Sequence, residues 1–253
     1  MVIIGGGRIG LALQQAAIVA QQPCLLLRRA DAWEVLQAHE STPILLAVRN
    51  DDLADVLARV PDHRRADLVF LQNGMLRPWL AEHGLQHATR GLIFFAVAKR
   101  GDVPRPGGES PLFGPHAAAV AAWLTAIGLP AHEVDSAAFA SVELEKLLWN
   151  SVFGVLCQAF QCAVDDVVYD YPAELYELVA EYVAVAAAEF GSAVDVKDLV
   201  KRMSVYSLTI EGFRASVKEY AWRNGWFVAQ AKAQGVEMPV HTRLFGLAED
   251  LGL

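Results

Sequence analysis

The hydrophobic pattern along the chain changes character about halfway through it. In the first half, short apolar runs of strand length alternate with stretches whose apolar residues recur at helical spacing. The predicted strands lie at residues 2–4, 24–27, 44–48, 68–71, 92–98 and 111–113, and the predicted helices at 10–20, 31–38, 51–59, 76–82 and 116–127. Strands that alternate with helices indicate a parallel, doubly wound α/β sheet.

Beyond about residue 135 the pattern is helical throughout. Predicted helices lie at 137–160, 172–190, 196–202, 207–234 and 243–251, and no further run of alternating β-branched residues occurs. We therefore predict two domains, an α/β domain at residues 1–135 and an all-helical domain at residues 136–253.

The composition excludes several classes of protein. Hydrophobic residues make up 54% of the 253 residues, which is enough for a packed core, and the net charge of −8 argues against nucleic acid as the main partner. Apolar stretches are interrupted too soon to span a bilayer. The three cysteines fit reduced thiols better than a disulfide framework or a metal site. Because the first strand begins at Val2, no residues remain for a signal peptide, and we expect a soluble, cytoplasmic protein without a bound metal.

The first ten residues carry the strongest chemical signal. A short apolar strand runs directly into Gly5-Gly6-Gly7-Arg8-Ile9-Gly10, and a helical pattern follows at once. Gly5 permits a tight turn, Gly7 lets the backbone approach a pyrophosphate, and Gly10 lets the helix sit close to the sheet. The helix N-terminus offers unpaired N–H groups to phosphate. This order predicts a dinucleotide site that includes Gly5, Gly7, Arg8, Ile9 and Gly10.

The type of cofactor is predicted from the end of the second strand. Sites that prefer NAD usually place an acidic residue there, whereas this strand ends in Arg28-Arg29, and a guanidinium suits the 2′-phosphate of NADP. Asp31 lies close enough to leave NAD open. Arg49, after the third strand, is a second candidate for the cofactor, although it fits equally well as a solvated residue before a helix.

The fourth strand ends in Gln72-Asn73-Gly74. Ligands of such sheets bind at the carboxyl ends of the strands, so Asn73 is a candidate for contact with the nicotinamide and the substrate. A simple Asn-Gly turn explains the same residues equally well.

A polar stripe interrupts an apolar helix of the second half. At helical spacing, Lys146, Asn150 and Gly154 share one face of a segment rich in leucine and aromatic residues. A partly desolvated lysine there is a workable proton donor. The alternative is an ion pair between Lys146 and Glu143 on an exposed edge. Farther along, Glu219 is a further candidate acid or base, or simply the partner of Arg223 one turn later.

Taken together, the motifs resemble those of the ketopantoate reductase family almost end to end. The matching segments are Gly5 to Gly10, Gln72-Asn73-Gly74-Met75, Glu145-Lys146-Leu147 with Asn150, Glu219 with Asn224-Gly225, and Gly235 to Thr242. The resemblance implies a Rossmann-type domain for NADP followed by a helical domain like the C-terminal one of 6-phosphogluconate dehydrogenase. It also implies reduction of a small 2-oxo acid, most directly 2-dehydropantoate, in a cleft between the domains of a monomer or homodimer.

The resemblance also implies a role for each site residue. Lys146 is the general acid that protonates the oxygen as hydride reaches the keto carbon, and Glu219 binds the substrate hydroxyl and orients the lysine. Asn73 and Asn150 hold the carbonyl and the lysine in place, and Ser207 meets the carboxylate.

Several positions depart from the family pattern. Gly154 stands where the family repeats an asparagine, Ser204 replaces another asparagine, and Tyr206 replaces a serine. The segment between Arg29 and Ile44 is short, so a piece of the nucleotide domain is missing. We expect open space at Gly154 and weaker polar recognition of 2-dehydropantoate. These departures also motivate a second hypothesis, a non-catalytic NADP-binding sensor or subunit, and a third, imine reduction.

Overall fold

Seven strands form one sheet in the N-terminal part of the molecule. The computed structural model describes residues 1–37, 41–97, 99–190 and 194–250, and the chain divides into two units, Met1–Phe139 and Ala140–Leu253. The strands of the first unit are β1 (Val2–Ile4), β2 (Leu25–Leu27), β3 (Ile44–Leu46), β4 (Leu68–Phe70), β5 (Thr89–Gly91), β6 (Phe95–Ala96), β7 (Arg105–Pro106), β8 (Ser110–Phe113) and β9 (Ala131–Glu133). Its helices are α1 (Arg8–Val19), α2 (Leu53–Arg59), α3 (Arg77–Glu82) and α4 (Ala117–Ala126).

The strand order of the sheet is β2-β1-β3-β4-β5-β8-β9. Strands β1 to β5 pair in parallel with their neighbours, β8 runs antiparallel to β5, and β9 runs parallel to β8. Strands β2 and β3 lie on opposite sides of β1, so the strand order reverses there. The carboxyl end of β1 is therefore the expected place for a ligand. This arrangement confirms the predicted Rossmann-type α/β class.

The central strands are apolar because both of their faces are covered. Ile3, Leu45 and Val69 are fully buried and belong to one cluster with Leu13 of α1 and Leu124 of α4. Burial of one such side chain stabilises the fold by roughly 1.5–3 kcal/mol, and strands covered on both faces read as continuous hydrophobic runs.

The short segment between β2 and β3 holds no strand among its described residues. The helix predicted at 31–38 is wrong there: the chain forms a 3₁₀ turn, Glu34–Gln37, and residue 38 lies outside the described part. Arg64, which is only 1% exposed, ties the segment together. Its guanidinium donates to the carbonyl oxygens of Leu36 and Thr42, at 2.7 and 2.8 Å, and to the Asp67 carboxylate at 2.6 Å.

Two further predictions for this unit differ from the structure. The single strand predicted at 92–98 is not present as such. Strand β5 ends before residue 92, and the short β6 pairs with β7 in a hairpin. Residue 98 lies outside the described part. Strand β9 was not predicted because its residues are partly exposed and have no apolar run.

The second unit is helical in its described residues. Its helices are α5 (Ser136–Ala159, whose first residues belong to the first unit), α6 (Val164–Asp170), α7 (Pro172–Phe190), α8 (Val196–Leu208), α9 (Asn224–Gln234) and α10 (Pro239–Asp250). The all-helical prediction for this half is confirmed. Helix α6 was not predicted, and the last predicted helix, at 243–251, ends on a residue outside the described part.

The long helix predicted at 207–234 is wrong. Helix α8 ends at Leu208, Gly212 takes a left-handed conformation with φ of 75°, and α9 begins only at Asn224. Glycine adopts this conformation without a steric penalty, and Gly212 lies in the segment that separates the two helices where the apolar periodicity alone predicts continuation.

In the part of the chain that the structure describes, no single helix is both long and apolar enough to cross a bilayer. Helices α5 and α6, which meet at a 79° bend, satisfy the length and composition criteria only as a pair.

Candidate active site

The glycine turn after β1 is closely packed at two of its glycines. A Cβ added to Gly5, whose φ is 120°, would lie 2.5 Å from the carbonyl oxygen of Ala47. A Cβ added to Gly10 would lie 1.8 Å from the carbonyl oxygen of Gly5. Both positions therefore require glycine, the first for the turn and the second for the approach of α1 to the sheet.

Gly7 faces open space instead. A Cβ added there would meet no other protein atom within 4 Å, and α1 begins at the next residue, Arg8. The N-terminus of α1 has neither a side-chain cap nor an acidic residue in its first turn. Its first N–H groups have no partners within the helix, so this end of α1 fits an anionic group such as a pyrophosphate.

Arg28 lies across the same turn. A Cβ added to Gly6 would be 2.9 Å from Cγ of Arg28, so the arginine stem covers the turn while the residue remains exposed. The neighbouring Arg29 forms an exposed ion pair with Asp52 at 2.8 Å. Asp31 accepts a hydrogen bond from the backbone N–H of Arg28 at 2.7 Å, so one of its carboxylate oxygens faces back into its own loop.

Arg59 supports this loop from α2. Its guanidinium donates to the carbonyl oxygens of Arg29 and Asp31 and lies 3.9 Å from the ring centre of Trp33. The pattern of the sequence placed Arg59 on a helix but supplied no signal for this contact.

Asn73 lies at the carboxyl end of β4 in a turn that is tied to β3. The side chain of Gln72 donates to the carbonyl oxygens of Leu46 and Val48, at 2.8 and 3.1 Å. The buried Asn50 donates to the carbonyl oxygen of Asn73 at 2.8 Å, and Gly74 has a φ of 98°. The Asn-Gly turn therefore exists, and it holds the half-buried Asn73 at the ligand edge of the sheet. Arg49, after β3, is exposed.

Arg100 was not predicted for this site. Its guanidinium donates to the carbonyl oxygen of Gly6 at 3.1 Å, although the two residues are 94 positions apart. Arg100 lies in the connection between β6 and β7, and the sequence pattern gave no indication of this contact.

In the second unit, the environment of Lys146 on α5 changes its acidity. Burial lowers the pKa of its ammonium group from the ordinary 10.5 to about 7, and the positive charge of Arg223 lowers it as well. Glu143, the partner in the alternative of an exposed ion pair, is only 5% exposed, so that edge of the helix is not open to solvent. A lysine in this environment is suited to proton transfer near neutral pH.

Glu219 and Arg223 form a pair beside this lysine. Glu219 lies outside the helices, with a φ of 49°, and its carboxylate accepts from Nη2 of Arg223 at 2.8 Å. The Arg223 side chain is 8% exposed, against 30% for Glu219. The prediction that Glu219 pairs with Arg223 is realised, and the sequence offered no sign that Arg223 acts on Lys146.

The side chains of Asn150 and Ser207 form hydrogen bonds with other groups of the helical unit. Asn150 donates to the carbonyl oxygen of Lys146 at 2.7 Å. The Ser207 hydroxyl, which is fully buried, donates to the carbonyl oxygen of Met203 at 2.9 Å and accepts from the indole N–H of Trp149 at 3.0 Å. Its hydrogen bonds therefore position Trp149.

The expectation of open space at Gly154 is wrong. A Cβ added there would lie 3.1 Å from the carbonyl oxygen of Ser216 and 3.4 Å from the nitrogen of Val217. The side chain of Gln158 accepts from that same nitrogen at 2.9 Å, so the segment after α8 lies along α5. The lost asparagine is thus replaced by backbone and not by a cavity.

The comparison with protein families agrees with the motifs. Residues 138–251 match the family model described as "Ketopantoate reductase PanE/ApbA C terminal". No match was found among curated protein sequences.

Solved structures resemble the chain over nearly its whole length. D-mandelate dehydrogenase, in a ternary complex with NADH and anilino(oxo)acetate, is 18% identical, with 99% of this chain and 98% of that chain covered and a TM-score of 0.75. The PanE/ApbA family ketopantoate reductase from Ralstonia eutropha JMP134 is 20% identical over 99% and 98% of the two chains, with a TM-score of 0.70. The probable 2-dehydropantoate 2-reductase from Bacillus subtilis is 16% identical over 99% of each chain, with a TM-score of 0.73.

At these identities the solved structures establish the shared fold, while the family model covers the helical half. The resemblance to the ketopantoate reductase family is therefore confirmed, and residues 138–251 match the model of the C-terminal domain of that family.

Proposed function

We propose that the protein is an NADPH-dependent reductase of a small 2-oxo acid. The first candidate substrate is 2-dehydropantoate, whose reduction to pantoate would place the enzyme in pantothenate biosynthesis. The observation that carries the proposal is the Lys146 ammonium, whose pKa of about 7 lets it give up and regain a proton at neutral pH. A protein that only binds a nucleotide has no use for such a group.

The reaction needs one proton at the substrate oxygen. A reduced nicotinamide, when bound, would supply hydride to the keto carbon. Lys146 donates a proton from Nζ to the carbonyl oxygen as negative charge develops there, and the neutral amine then takes a proton from water. A cation held beside a developing alkoxide stabilises that charge most where water is excluded.

The neighbours of Lys146 prepare it for this role. Arg223 lowers the pKa of the lysine, and Glu219, held by Arg223, binds a substrate hydroxyl and orients the ammonium. Asn150 fixes the backbone at the lysine, and Asn73 contacts the carbonyl. Ser207, assigned to the substrate carboxylate by the family resemblance, acts here through Trp149 because its hydrogen bonds go to that indole and to Met203.

The residues around the glycine turn fit NADPH. Gly5, Gly7, Arg8, Ile9 and Gly10 would hold the pyrophosphate, and Arg28 and Arg49 the 2′-phosphate. Support for NADPH over NADH comes from Arg28, which covers the turn, and from Asp31, one oxygen of which is used by the Arg28 N–H. Because a structural relative is described with NADH, both cofactors need to be compared.

The test is oxidation of NADPH or NADH by a panel of 2-oxo acids, followed by nicotinamide absorbance in the full-length protein. We expect turnover with NADPH and a loss of about 100-fold or more in kcat for Lys146→Ala, since general acid catalysis contributes about 10²–10⁴-fold. Lys201→Ala, which removes an exposed lysine of α8, is the matched control and keeps full activity.

Two results contradict the proposal. If NADPH binds but no carbonyl compound oxidises it, the protein is a binding protein that retains the fold. If Lys146→Ala turns over substrate as fast as the control does, the lysine is not the general acid. That result would favour reduction of a protonated imine, a substrate that needs no proton from the enzyme.

A further inference from the structure

Four aromatic side chains gather on the α5–α8 side of the helical unit. The indole of Trp149 stacks on Phe153 at a centroid distance of 5.4 Å and meets Tyr206 edge-on at 5.3 Å. Phe213, in the segment after α8, lies 6.2 Å from the same indole. Phe153 is fully buried, whereas Trp149 and Tyr206 are half-buried and Phe213 is 47% exposed. The cluster therefore has a buried base and an accessible edge.

This aromatic surface, formed by Trp149, Tyr206 and Phe213, adjoins the proposed proton donor. Lys146 and Trp149 are three positions apart on α5, so their side chains leave the same face of the helix, about one turn apart. A 2-oxo acid whose carbonyl oxygen reaches Lys146 thus has its remaining substituent within reach of Trp149.

The surface is held in a fixed orientation. The indole N–H of Trp149 donates to the buried Ser207 hydroxyl, which in turn donates to the Met203 carbonyl oxygen. One turn earlier on each helix, Glu145 and Arg202 form an ion pair at 2.8 Å, which sets the register of α8 against α5. A preorganised aromatic face binds a planar group with little loss of side-chain entropy.

Several polar groups beside the surface already have partners within the protein. The Ser207 hydroxyl is engaged, and the Ser216 carbonyl occupies the space that a side chain at position 154 would need. The Val217 N–H is bonded to Gln158. A polar substituent placed here would find these three groups already engaged by the protein.

We propose that the surface of Trp149, Tyr206 and Phe213 binds the substituent on the keto carbon and that the preferred substrates are 2-oxo acids with an aryl group. This inference rests on the proposed function, because it assumes that Lys146 protonates a 2-oxo acid. A tyrosine at position 206, where the family pattern has a serine, fits such a surface. Stacking against aromatic side chains favours an aryl over a branched hydroxylated substituent by about tenfold.

The test compares kcat/KM with NADPH for 2-oxo-2-phenylacetate, phenylpyruvate, 2-dehydropantoate and pyruvate. We expect the wild type to prefer the two aryl acids over 2-dehydropantoate by about tenfold. Tyr206→Ser and Phe213→Ser should reduce kcat/KM more for the aryl acids than for pyruvate, which has only a methyl group to contact the surface. Tyr176→Ser, which removes a tyrosine of α7 that is 40% exposed, is the matched control and leaves all four values unchanged.

The outcomes separate this inference from the proposed function. If 2-dehydropantoate is reduced at least as efficiently as the aryl acids, or if Tyr206→Ser and Phe213→Ser affect all substrates equally, the aryl preference is overturned while the reductase stands. If no 2-oxo acid is reduced, the proposed function fails. Calorimetric measurement of 2-oxo-2-phenylacetate binding then tests the aryl site by itself. Binding that Tyr206→Ser weakens and Tyr176→Ser does not supports the aryl site; absence of binding overturns it.

Discussion

The guanidinium of Arg223 donates to the carboxylate of Glu219 at 2.8 Å while its positive charge also acts on Lys146. Burial lowers the pKa of Arg223, and Glu219 opposes that shift, so the ion pair offsets part of the cost of burying the guanidinium. One arginine thereby joins two residues that the sequence motifs had suggested separately.

Replacing this arginine should shift the pH dependence of catalysis. The acid form of Lys146 is needed, so kcat is expected to fall as the pH rises through about 7. Arg223→Gln removes a positive charge that lowers the pKa of the lysine, so the fall moves to higher pH. The measurement is kcat against pH, with Arg243→Gln, an exposed arginine of α10, as the control. An Arg223→Gln profile that coincides with the wild type would show that Arg223 does not tune the lysine.

Acidification should destabilise the helical unit through His241. The ring nitrogen Nδ1 of His241 lies 2.7 Å from the Tyr182 hydroxyl, whose oxygen also accepts from Asn224 at 2.9 Å. Burial lowers the pKa of His241 from 6.5 to about 4. Between these values the unfolded chain binds a proton that the folded chain does not, so stability is lost as the pH falls from about 6.5 toward 4.

The loss through His241 should reach about 3 kcal/mol, as expected for a shift of this size. Urea unfolding of the wild type and of His241→Gln at pH 7 and pH 4.5 measures it, because the variant lacks this contribution. His63→Gln, at an exposed histidine, should behave as the wild type does. Equal acid sensitivity of the wild type and His241→Gln would refute the assignment.

Two glycines of the same turn should respond differently to one methyl group. Gly7→Ala meets open space, so its melting temperature is expected to stay close to that of the wild type while NADPH affinity falls at least about tenfold from steric conflict with the phosphates. Gly10→Ala meets the Gly5 carbonyl oxygen and should lower the melting temperature itself. Thermal unfolding and cofactor titration of both variants check this, and the idea is lost if Gly7→Ala binds NADPH normally.

Arg28 should set the preference between the two nicotinamide cofactors. Arg28→Ala removes a charge-assisted contact to the 2′-phosphate, which lowers NADPH affinity by about tenfold or more and leaves NADH affinity nearly unchanged. Arg29→Ala, next to it but paired with Asp52, is the matched control. Equal losses for both cofactors would assign Arg28 to the pyrophosphate instead.

The elements that depend on local sequence could be predicted well. Strand β1, the glycine turn and the start of α1 follow from adjacent residues, and α7 has the predicted bounds because its apolar stripe is uninterrupted. The candidate site could be predicted as a set of residues, since its motifs occur in order along the chain.

The features that depend on distant backbone could not be predicted. The approach of Ser216 to Gly154 and the use of the Ser207 hydroxyl by Trp149 join residues 58 or more positions apart. Glycine at position 154 indicates only that a side chain is missing, and it does not tell whether solvent, ligand or main chain fills the place. The break after α8 was missed for a related reason, because apolar periodicity continues through Gly212.

Arg64 shows how much of one segment can depend on a single buried side chain. Its guanidinium donates in separate directions to two carbonyl oxygens and one carboxylate, and these bonds join the segment between β2 and β3 to the turn before β4. Lysine presents one compact charge and cannot span all three acceptors. Even the exchange of Arg64 for another cation would therefore leave buried acceptors between β2 and β3 without a donor, so this position tolerates no conservative replacement.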